Sequence, residues 1–227
     1  MKGKLIVFEG VEGCGKTTQL LTVQAWLEDS GWLPHLQARG YLTQLVTTRE
    51  PGGTELGKAL RSLLLTPDQA PLHRRAELLL YAADRAQHVE QVLNPLLQQG
   101  ALILCDRFTD STLAYQGFGR GIGTDLVEQL NAIATDGLQS DLTLWLDVPV
   151  TLGLQRAQRR GAIDRMEQAD LDFHQRVQQG FAELARLHPQ RIVRINANQP
   201  EAAVAQDIQI ILQQQFSQWY PTVLAPS

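Results

Sequence analysis

One short segment near the N-terminus constrains the fold of this chain more than any other. It reads Gly10-Val-Glu-Gly-Cys-Gly15-Lys16-Thr17 and matches the pattern G-x-x-x-x-G-K-[ST]. The apolar run over residues 4–9 before it is typical of a buried parallel strand. The spacing of Leu20, Val23 and Leu27 predicts a helix over residues 16–30 after it. A strand, this loop and a helix in that order form a phosphate-binding loop, or P-loop.

The residue types of this loop suit a nucleoside triphosphate. Glycines let backbone N–H groups approach an anion closely, and the start of the following helix carries a partial positive charge. Lys16 is expected to contact the β- and γ-phosphates, and Thr17 to ligate Mg²⁺. The predicted ATP-binding residues are Gly10, Val11, Glu12, Gly13, Cys14, Gly15, Lys16, Thr17 and Thr18. The chain has neither the N/T-K-x-D nor the D-x-x-G motif of GTP-binding proteins, which argues against a regulatory switch.

Short apolar runs alternate with helical patterns along the rest of the chain. Further strands are predicted over residues 44–49, 101–106, 141–147 and 191–195. Helices are predicted after Thr54, over residues 72–99 with a bend near Asn94-Pro95, and over residues 200–219. This alternation predicts a three-layer α/β/α fold of the P-loop NTPase type, with five parallel strands and helices on both faces.

The remaining segments complete the predicted organisation. Residues 1–220 are expected to form a single P-loop kinase domain, and residues 221–227 a loosely ordered tail. Residues 32–42, between the first helix and the second strand, are expected to be an extended loop.

Composition excludes several classes of partner. The formal net charge of −4 lacks the basic excess of a protein that binds polymeric nucleic acid. No apolar stretch approaches the length of a membrane span, so no membrane partner and a cytoplasmic location are expected. Cys14 and Cys105 are too few for a disulfide framework and are interpreted as small packing residues. The scattered histidines are interpreted as surface or packing residues; they are His35, His73, His88, His174 and His188.

Two acidic residues compete for the metal-supporting position. Asp106 and Asp147 each end an apolar strand, where a carboxylate can support Mg²⁺. Asp106 is favoured because Arg107 follows it, which places a phosphate-binding guanidinium at the same strand end, where ligands of parallel sheets bind. Arg49-Glu-Pro-Gly-Gly-Thr54 also follows a strand and, taken alone, is either a turn or part of this site.

Taken together, the motifs of the chain resemble bacterial thymidylate kinases. Besides the P-loop with Phe8-Glu9, they are Arg49-Glu-Pro-Gly-Gly-Thr54, Tyr81-Ala-Ala-Asp-Arg85, Asp106-Arg-Phe-Thr-Asp-Ser111, Ala114-Tyr-Gln-Gly117 and Asp164-Arg-Met-Glu167. The resemblance implies an enzyme that transfers the γ-phosphoryl group of ATP to dTMP in dTTP biosynthesis. It also implies Mg²⁺ as cofactor and a homodimer.

The same resemblance implies roles on the acceptor side. Arg49 and Arg107 would hold the dTMP phosphate, and Glu12 would reach the 3′-hydroxyl group. Tyr81 would stack on thymine, although by its pattern alone it is a core aromatic, and Arg85 with Thr112 would hydrogen-bond the base. Tyr115 would pack under the sugar with Gln116 beside it. The predicted substrate-binding residues are Glu12, Arg49, Pro51, Tyr81, Arg85, Arg107, Ser111, Thr112, Tyr115 and Gln116.

Four arginines surround Gly161: Arg156, Arg159, Arg160 and Arg165. By pattern alone they are a solvated basic helix end. The resemblance implies a mobile lid over about residues 153–168 that closes over ATP and delivers one arginine to the transferring phosphoryl group, while residues 196–200 flank adenine. Positions 11–14 contain no arginine, so this charge comes from elsewhere, and all four arginines stay candidates. With Lys16 and Arg107 they form the predicted catalytic set.

Two alternatives share part of this pattern. A P-loop kinase for another small metabolite or nucleoside monophosphate would have Lys16, Thr17 and a lid, but no reason for the R-E-P-G-G-T segment with Tyr81 and Arg85. A non-catalytic nucleotide-binding module would have no reason for the lid arginines and an acceptor pocket.

Overall fold

A single parallel sheet forms the centre of the molecule. The computed structural model describes residues 2–67, 72–161 and 164–220. All five strands of the sheet are parallel, in the order β2-β3-β1-β4-β5. They are β1 (Lys4–Glu9), β2 (Leu45–Arg49), β3 (Leu102–Asp106), β4 (Leu142–Asp147) and β5 (Ile192–Asn196). The predicted five-stranded parallel sheet is confirmed, and every strand end lies within one residue of its predicted position.

Helices connect the strands and cover both faces of the sheet. They are α1 (Lys16–Asp29), α2 (Trp32–Ala38), α3 (Glu55–Leu65), α4 (Arg74–His88), α5 (Asn94–Gln98), α6 (Thr109–Thr112), α7 (Thr124–Thr135), α8 (Val150–Arg160), α9 (Leu171–Leu187) and α10 (Glu201–Trp219). Two π-helical segments, Val89–Leu93 and Leu113–Gly119, follow α4 and α6. The predicted tail over residues 221–227, and residues 162–163 of the predicted lid, lie outside the described residues.

The central strand β1 shows why the sheet is buried on both faces. Successive side chains of a strand point to opposite faces. Ile6 and Phe8 pack into a cluster that includes residues of α1, α2, α9 and α10, whereas Leu5 and Val7 pack with Val89 and its neighbours on the other face. A strand that is covered on both sides has no polar face, and this accounts for the continuous apolar run in the sequence.

The segment predicted as an extended loop is a short helix, so that prediction is wrong. Helix α2 spans Trp32–Ala38, with Trp32 and Leu36 buried one turn apart. The Trp32 ring lies 5.4 Å from that of Phe216 in α10. Pro34 stands in the first turn, where its missing N–H costs no helical hydrogen bond. A helix of seven residues has little stability of its own, and its packing against α10 stabilises it instead.

The long helical segment before β3 is confirmed, but its irregularity lies earlier than predicted. The chain is helical from Arg74 to Gln98, and the hydrogen bonding changes to the π pattern over Val89–Leu93. Pro95 has no N–H to continue the α-helical pattern, so the change occurs in the turn before it. Thr54 caps α3 as predicted, since its Oγ1 accepts from the Gly57 N–H at 2.9 Å.

Candidate active site

A cavity of about 540 Å³ lies at the carboxyl ends of the strands. All the site residues predicted from the sequence line it, with four exceptions: Gly10, Val11, Arg159 and Arg165. Arg49 and Asp106 are neighbours here because their strands pair in register at these positions, and Phe8 of β1 pairs with Asp106 on its other side. The strand order therefore brings the P-loop, Asp106 and Arg49 to one edge of the sheet.

Lys16 folds back over the P-loop that precedes it. Its Nζ donates to the carbonyl oxygens of Gly10 at 3.0 Å and Val11 at 2.9 Å, and lies 3.4 Å from Cys14 Sγ. Gly10 and Val11 thus act on the lysine through their backbone rather than by lining the cavity. The P-loop surrounds the ammonium group, which therefore lies where a phosphate would be bound.

The P-loop and helix α8 approach each other through two glycines. A Cβ atom on Gly13 would lie 2.0 Å from the carbonyl oxygen of Gly153, and one on Gly153 would lie 2.4 Å from that of Glu12. Gly13 also has a φ of 65°, in the left-handed region. Both positions require glycine for this packing.

Thr17 and Asp106 form the part of the site suited to a divalent metal. Thr17 Oγ1 donates to Asp106 Oδ2 at 2.7 Å. The competing candidate Asp147 lies elsewhere, since it accepts from Gln178 and Arg194 and does not line the cavity. Within the described residues no group of three or more acidic, histidine or cysteine side chains could hold a metal ion. A hydroxyl and one carboxylate fit Mg²⁺, which keeps several waters and takes phosphate oxygens as ligands.

Arg107 combines an uncommon backbone conformation with a guanidinium group that is held by four hydrogen bonds. Its φ of 71° lies in the left-handed region, a conformation that costs about 1–3 kcal/mol for residues other than glycine. Its guanidinium donates to the Gly10 carbonyl, Ser111 Oγ, Glu12 Oε1 and the Tyr115 hydroxyl, each at 3.1 Å. Side chains from two sides therefore fix the direction of this cation.

Glu12 is the acidic partner of Arg107. Its Oε1 also accepts from the Tyr115 hydroxyl at 2.5 Å. Burial by itself would raise the pKa of Glu12, but the combined effects of His174, Arg107, Lys16 and Tyr115 outweigh burial and lower it from 4.5 to about 2. The Glu12 carboxylate is therefore ionised near neutral pH.

Arg85 is almost completely engaged by the protein. Its Nε donates to Glu50 Oε2 at 2.8 Å, and its Nη1 donates to Thr112 Oγ1 at 2.7 Å and Asn131 Oδ1 at 2.8 Å. Its Nη2 donates to the Phe108 carbonyl at 2.9 Å. A guanidinium has five N–H donors, so one hydrogen on Nη2 has no partner among the described residues. Arg85 lines the cavity and can offer this one donor to a ligand.

Tyr81 lies one helical turn before Arg85 on α4 and also lines the cavity. Its ring is partly exposed, unlike that of a core aromatic. Burial, followed by the charge of Glu77, raises the pKa of its hydroxyl, so the hydroxyl stays protonated. An uncharged aromatic face and a guanidinium donor are thus neighbours on one helix face.

The four lid arginines fall into two pairs. Arg156 and Arg160 line the cavity, whereas Arg159 and Arg165 do not. Arg165 instead contacts the buried Glu77, with 2.7 Å between its Nη1 and Glu77 Oε2, and its Nε donates to the Leu64 carbonyl at 2.7 Å. Two of the four candidates therefore lie where a phosphoryl group could be reached.

Comparison with known proteins places the chain in a family. The family model described as thymidylate kinase matches residues 8–208. The chain belongs to the thymidylate kinase family. A thymidylate kinase of Cyanothece sp. is 59% identical over 98% of this chain and 99% of its own length. That of Trichodesmium erythraeum is 55% identical over 96% of this chain and 99% of its own. The solved thymidylate kinase of Ehrlichia chaffeensis is 32% identical, has a TM-score of 0.72, and covers 94% of this chain and all of its own.

Membership of the thymidylate kinase family makes the chain an enzyme, a kinase for thymidylate, and argues against both alternatives, another P-loop kinase and a non-catalytic nucleotide-binding module. It agrees with the fold, since the solved relative is similar over nearly the whole chain. The resemblance seen in the sequence is therefore confirmed.

Glu9 and Arg61 are among the residues of this thymidylate kinase site that were not predicted from the sequence. Glu9 is fully buried at the end of β1, and its Oε1 accepts from the N–H groups of Phe108 at 2.8 Å and Ser111 at 3.0 Å. Burial, followed by the charge of Asp110, raises the pKa of Glu9 from 4.5 to about 7. The sequence feature that could have indicated Glu9 is a carboxylate at the end of an apolar run.

The second residue is Arg61 of α3, which lines the cavity and donates to the Pro51 carbonyl at 2.9 Å. Burial and then the charge of Arg49 lower its pKa. Its only signal in the sequence was its place on the helix that follows the R-E-P-G-G-T segment.

Proposed function

We propose that this enzyme transfers the γ-phosphoryl group of ATP to dTMP, giving dTDP and ADP, by direct attack of a dTMP phosphate oxygen. The observation that carries the proposal is that one cavity holds both the P-loop with Thr17 and Asp106 and the acceptor residues Arg49 and Arg107. The acceptor oxygen is already nucleophilic, so the protein has to align the two nucleotides and neutralise charge.

The donor end of the cavity is assigned to ATP and its metal. Residues 12–18 would surround the phosphates, with Lys16 on the β- and γ-phosphates and the carbonyls of Gly10 and Val11 steering its ammonium group. Thr17 and Asp106 would hold Mg²⁺, which supplies positive charge to the phosphate oxygens. Ala197 and Gln199 line the cavity in the loop after β5, which supports adenine binding there.

The acceptor end is assigned to dTMP. Arg49 and Arg107 would bind its phosphate through their guanidinium groups, with Pro51 and Ser111 beside them. Tyr81 would stack on the base, and the remaining Nη2 hydrogen of Arg85 would donate to the thymine 4-carbonyl, with Thr112 nearby.

The sugar of dTMP falls between these groups. Glu12 would accept from the 3′-hydroxyl, since its carboxylate is ionised and already faces Tyr115 and Arg107. Tyr115 would pack under the ring with Gln116 alongside it, and both line the cavity.

The segment over about residues 153–168 is proposed to act as a lid. Arg156 and Arg160 are proposed to supply the charge for the transferring phosphoryl group, because both line the cavity. Arg160 also contacts Glu167 across this segment, with Nη2 donating to Oε1 at 2.5 Å. Arg165 is assigned a structural role through Glu77, and Arg159 none in the chemistry.

The proposal includes a cytoplasmic homodimer. α4 packs against both α3 and α7, and these three helices carry a group of exposed large apolar side chains. They are Leu56, Leu63, Leu79, Leu126 and Ile133. Exposed apolar residues gathered on neighbouring helices are typical of a protein interface. Both cysteines are free and buried, which fits a reducing compartment. None of the described helices is long and apolar enough to cross a membrane.

A coupled ADP-release assay against a panel of nucleoside monophosphates tests the proposal. dTMP should give the highest kcat/KM, and Lys16→Ala should lower kcat by orders of magnitude in a folded protein. Lys58→Ala is the matched control, because Lys58 is an exposed lysine on α3. Equal use of dCMP and dTMP would refute the proposed substrate, and near-normal kcat in Lys16→Ala would refute the proposed donor site.

A further inference from the structure

His174 is a fully buried histidine that faces the P-loop. It lies in the first turn of α9, which Asp170 caps by accepting from the Phe173 N–H at 2.6 Å. The His174 Nδ1 is 3.3 Å from Glu12 Oε2. Among the described residues, neither ring nitrogen of His174 nor Glu12 Oε2 has a hydrogen-bond partner of good geometry. Two buried polar atoms, His174 Nδ1 and Glu12 Oε2, therefore face each other, and neither has another partner among the described residues.

The chemistry of the two groups determines how they can pair. A buried polar atom without a partner is destabilising, and one hydrogen bond between them would relieve both. The separation of 3.3 Å is slightly long for an N–H···O bond, so the proposed bond requires a small reorientation of the two side chains. Glu12 Oε2 can only accept, so the ring must carry a proton on Nδ1 for the two atoms to form a hydrogen bond.

The other oxygen of Glu12 connects this pair to the acceptor side of the cavity. Oε1 accepts from the Tyr115 hydroxyl at 2.5 Å and from Arg107 Nη2 at 3.1 Å. Because the carboxylate is planar, a bond that fixes Oε2 also fixes the direction in which Oε1 faces. The charged and titratable groups that face Glu12 are Lys16, Arg107, Tyr115 and His174.

We infer that His174 is a positioning residue: its Nδ1–H donates to Glu12 Oε2 and holds the carboxylate against Arg107 and Tyr115. Its kinetic consequence rests on the proposed function, because it is measured with dTMP. The position of the proton on the histidine ring does not depend on the proposed function. A measurement of that proton therefore separates failure of this inference from failure of the proposed function.

The first experiment is nitrogen NMR of the whole protein with isotope-labelled histidine, with His174→Asn used to assign the His174 signals. The Nδ1 atom of the His174 ring should carry a proton. A proton on Nε2 alone would overturn the inference whatever the enzyme phosphorylates.

The second experiment compares two replacements of His174 over about pH 5–8. The amide NH₂ of Asn lies where Nδ1 lies in histidine, whereas Phe fills the space without a donor. His174→Phe removes an interaction that lowers the Glu12 pKa, so the buried carboxyl should take up a proton at a higher pH than in the wild type. The kcat/KM for dTMP should then fall toward low pH by roughly 10- to 100-fold. His174→Asn should follow the wild-type profile.

His188→Asn is the matched control, since His188 follows the last residue of the same helix, at the end opposite to His174. Thermal unfolding reports whether each variant is folded. If His174→Phe does not fold, His174→Gln replaces it, because the amide nitrogen of Gln lies at the position of the histidine Nε2 rather than at that of Nδ1. A pH profile of the donor-free variant that coincides with the wild type overturns the inference.

Discussion

Glu9 and Glu12 are buried carboxylates three residues apart whose pKa values are displaced in opposite directions. Burial and then the charge of Asp110 raise the pKa of Glu9 from 4.5 to about 7, and they outweigh the charge of Arg107 and the hydrogen bonds that lower it. Around Glu12 the cations and donors outweigh burial, and the pKa falls to about 2. The difference arises from which charges lie within reach of each carboxyl group.

The first prediction follows from Glu9. Below about pH 4.5 its carboxyl is protonated in the folded and the unfolded chain, and above about pH 7 it is ionised in both. Between these values only the folded chain keeps the proton, so the free energy of unfolding falls as pH rises. Glu9→Gln should lessen this fall by about 2–3 kcal/mol between about pH 5 and pH 8.

Urea unfolding of both proteins at the two pH values measures this effect. Glu90→Gln serves as the control, because Glu90 is exposed. An equal fall in Glu9→Gln and the wild type would show that Glu9 is already ionised in the folded protein at low pH.

The second prediction concerns Arg85. Arg85→Lys keeps a positive charge near Glu50 but loses the planar fork that places the remaining Nη2 donor. We expect the ratio of kcat/KM for dTMP over dCMP to fall by roughly tenfold or more, since the donor no longer meets the 4-carbonyl. The dTMP/dUMP ratio should change little, because those bases differ only by a methyl group.

Arg74→Lys, an exposed change on the same helix, is the control for this prediction. An unchanged dTMP/dCMP ratio in Arg85→Lys would show that the base is not read by Arg85.

At the residue scale, motifs predicted most of the polar groups that line the cavity and missed the buried groups that contact them. Residue type and spacing in the motifs indicate the chemistry of Lys16, Asp106 and Arg49. Glu9 and His174 act by being buried next to a partner far away in the sequence. Such pairings exist only in the folded chain. The sequence alone therefore led to the interpretation of His174 as a surface or packing residue.

At the scale of elements, the strands were predictable and the short helix was not. A strand buried on both faces reads as an apolar run, and β1 and β3 were recognised in this way. Helix α2 is too short for a clear period, and it contains Pro34. Its stability comes from Phe216, a residue on the last helix, and no local pattern contains that information.

The third prediction concerns the lid element. Arg156→Ala or Arg160→Ala should lower kcat by roughly 10³, by analogy with arginine fingers, while the KM for dTMP hardly changes. Arg159→Ala should keep the wild-type kcat, because Arg159 does not line the cavity.

Arg165→Ala should act through stability instead, by leaving the buried Glu77 with fewer partners. Steady-state kinetics and thermal unfolding of the four variants test this division between arginines that act in catalysis and arginines that do not. Wild-type kcat in both Arg156→Ala and Arg160→Ala would refute the proposed lid chemistry.

For the whole molecule, the strand order determines which motifs can cooperate. β3 lies between β1 and β2, so the P-loop, Asp106 and Arg49 meet although nearly a hundred residues separate Gly10 from Asp106. The alternation of strands and helices predicts a parallel sheet, and its carboxyl edge as the site. Local patterns do not specify the order of the strands.

The fourth prediction addresses the proposed homodimer. Leu79 is 58% exposed on α4, between α3 and α7. Leu79→Glu should place a charge in the apolar contact and shift the protein from dimer to monomer in light scattering. Leu187→Glu, with 52% exposure on α9, is the control and should stay dimeric. A dimeric Leu79→Glu protein would place the interface elsewhere.

The contact between Gly13 and Gly153 has a consequence for how this sequence can change over generations. The backbone of each segment excludes a side chain on the glycine opposite, because a Cβ would meet the carbonyl oxygen of Gly153 or of Glu12 at 2.4 Å or less. A substitution at one position therefore cannot be rescued by a second at its partner, since glycine is already the smallest residue. Neither position can therefore accept another residue during evolution. Selection from a library in which both positions are fully randomised should return only glycine at each.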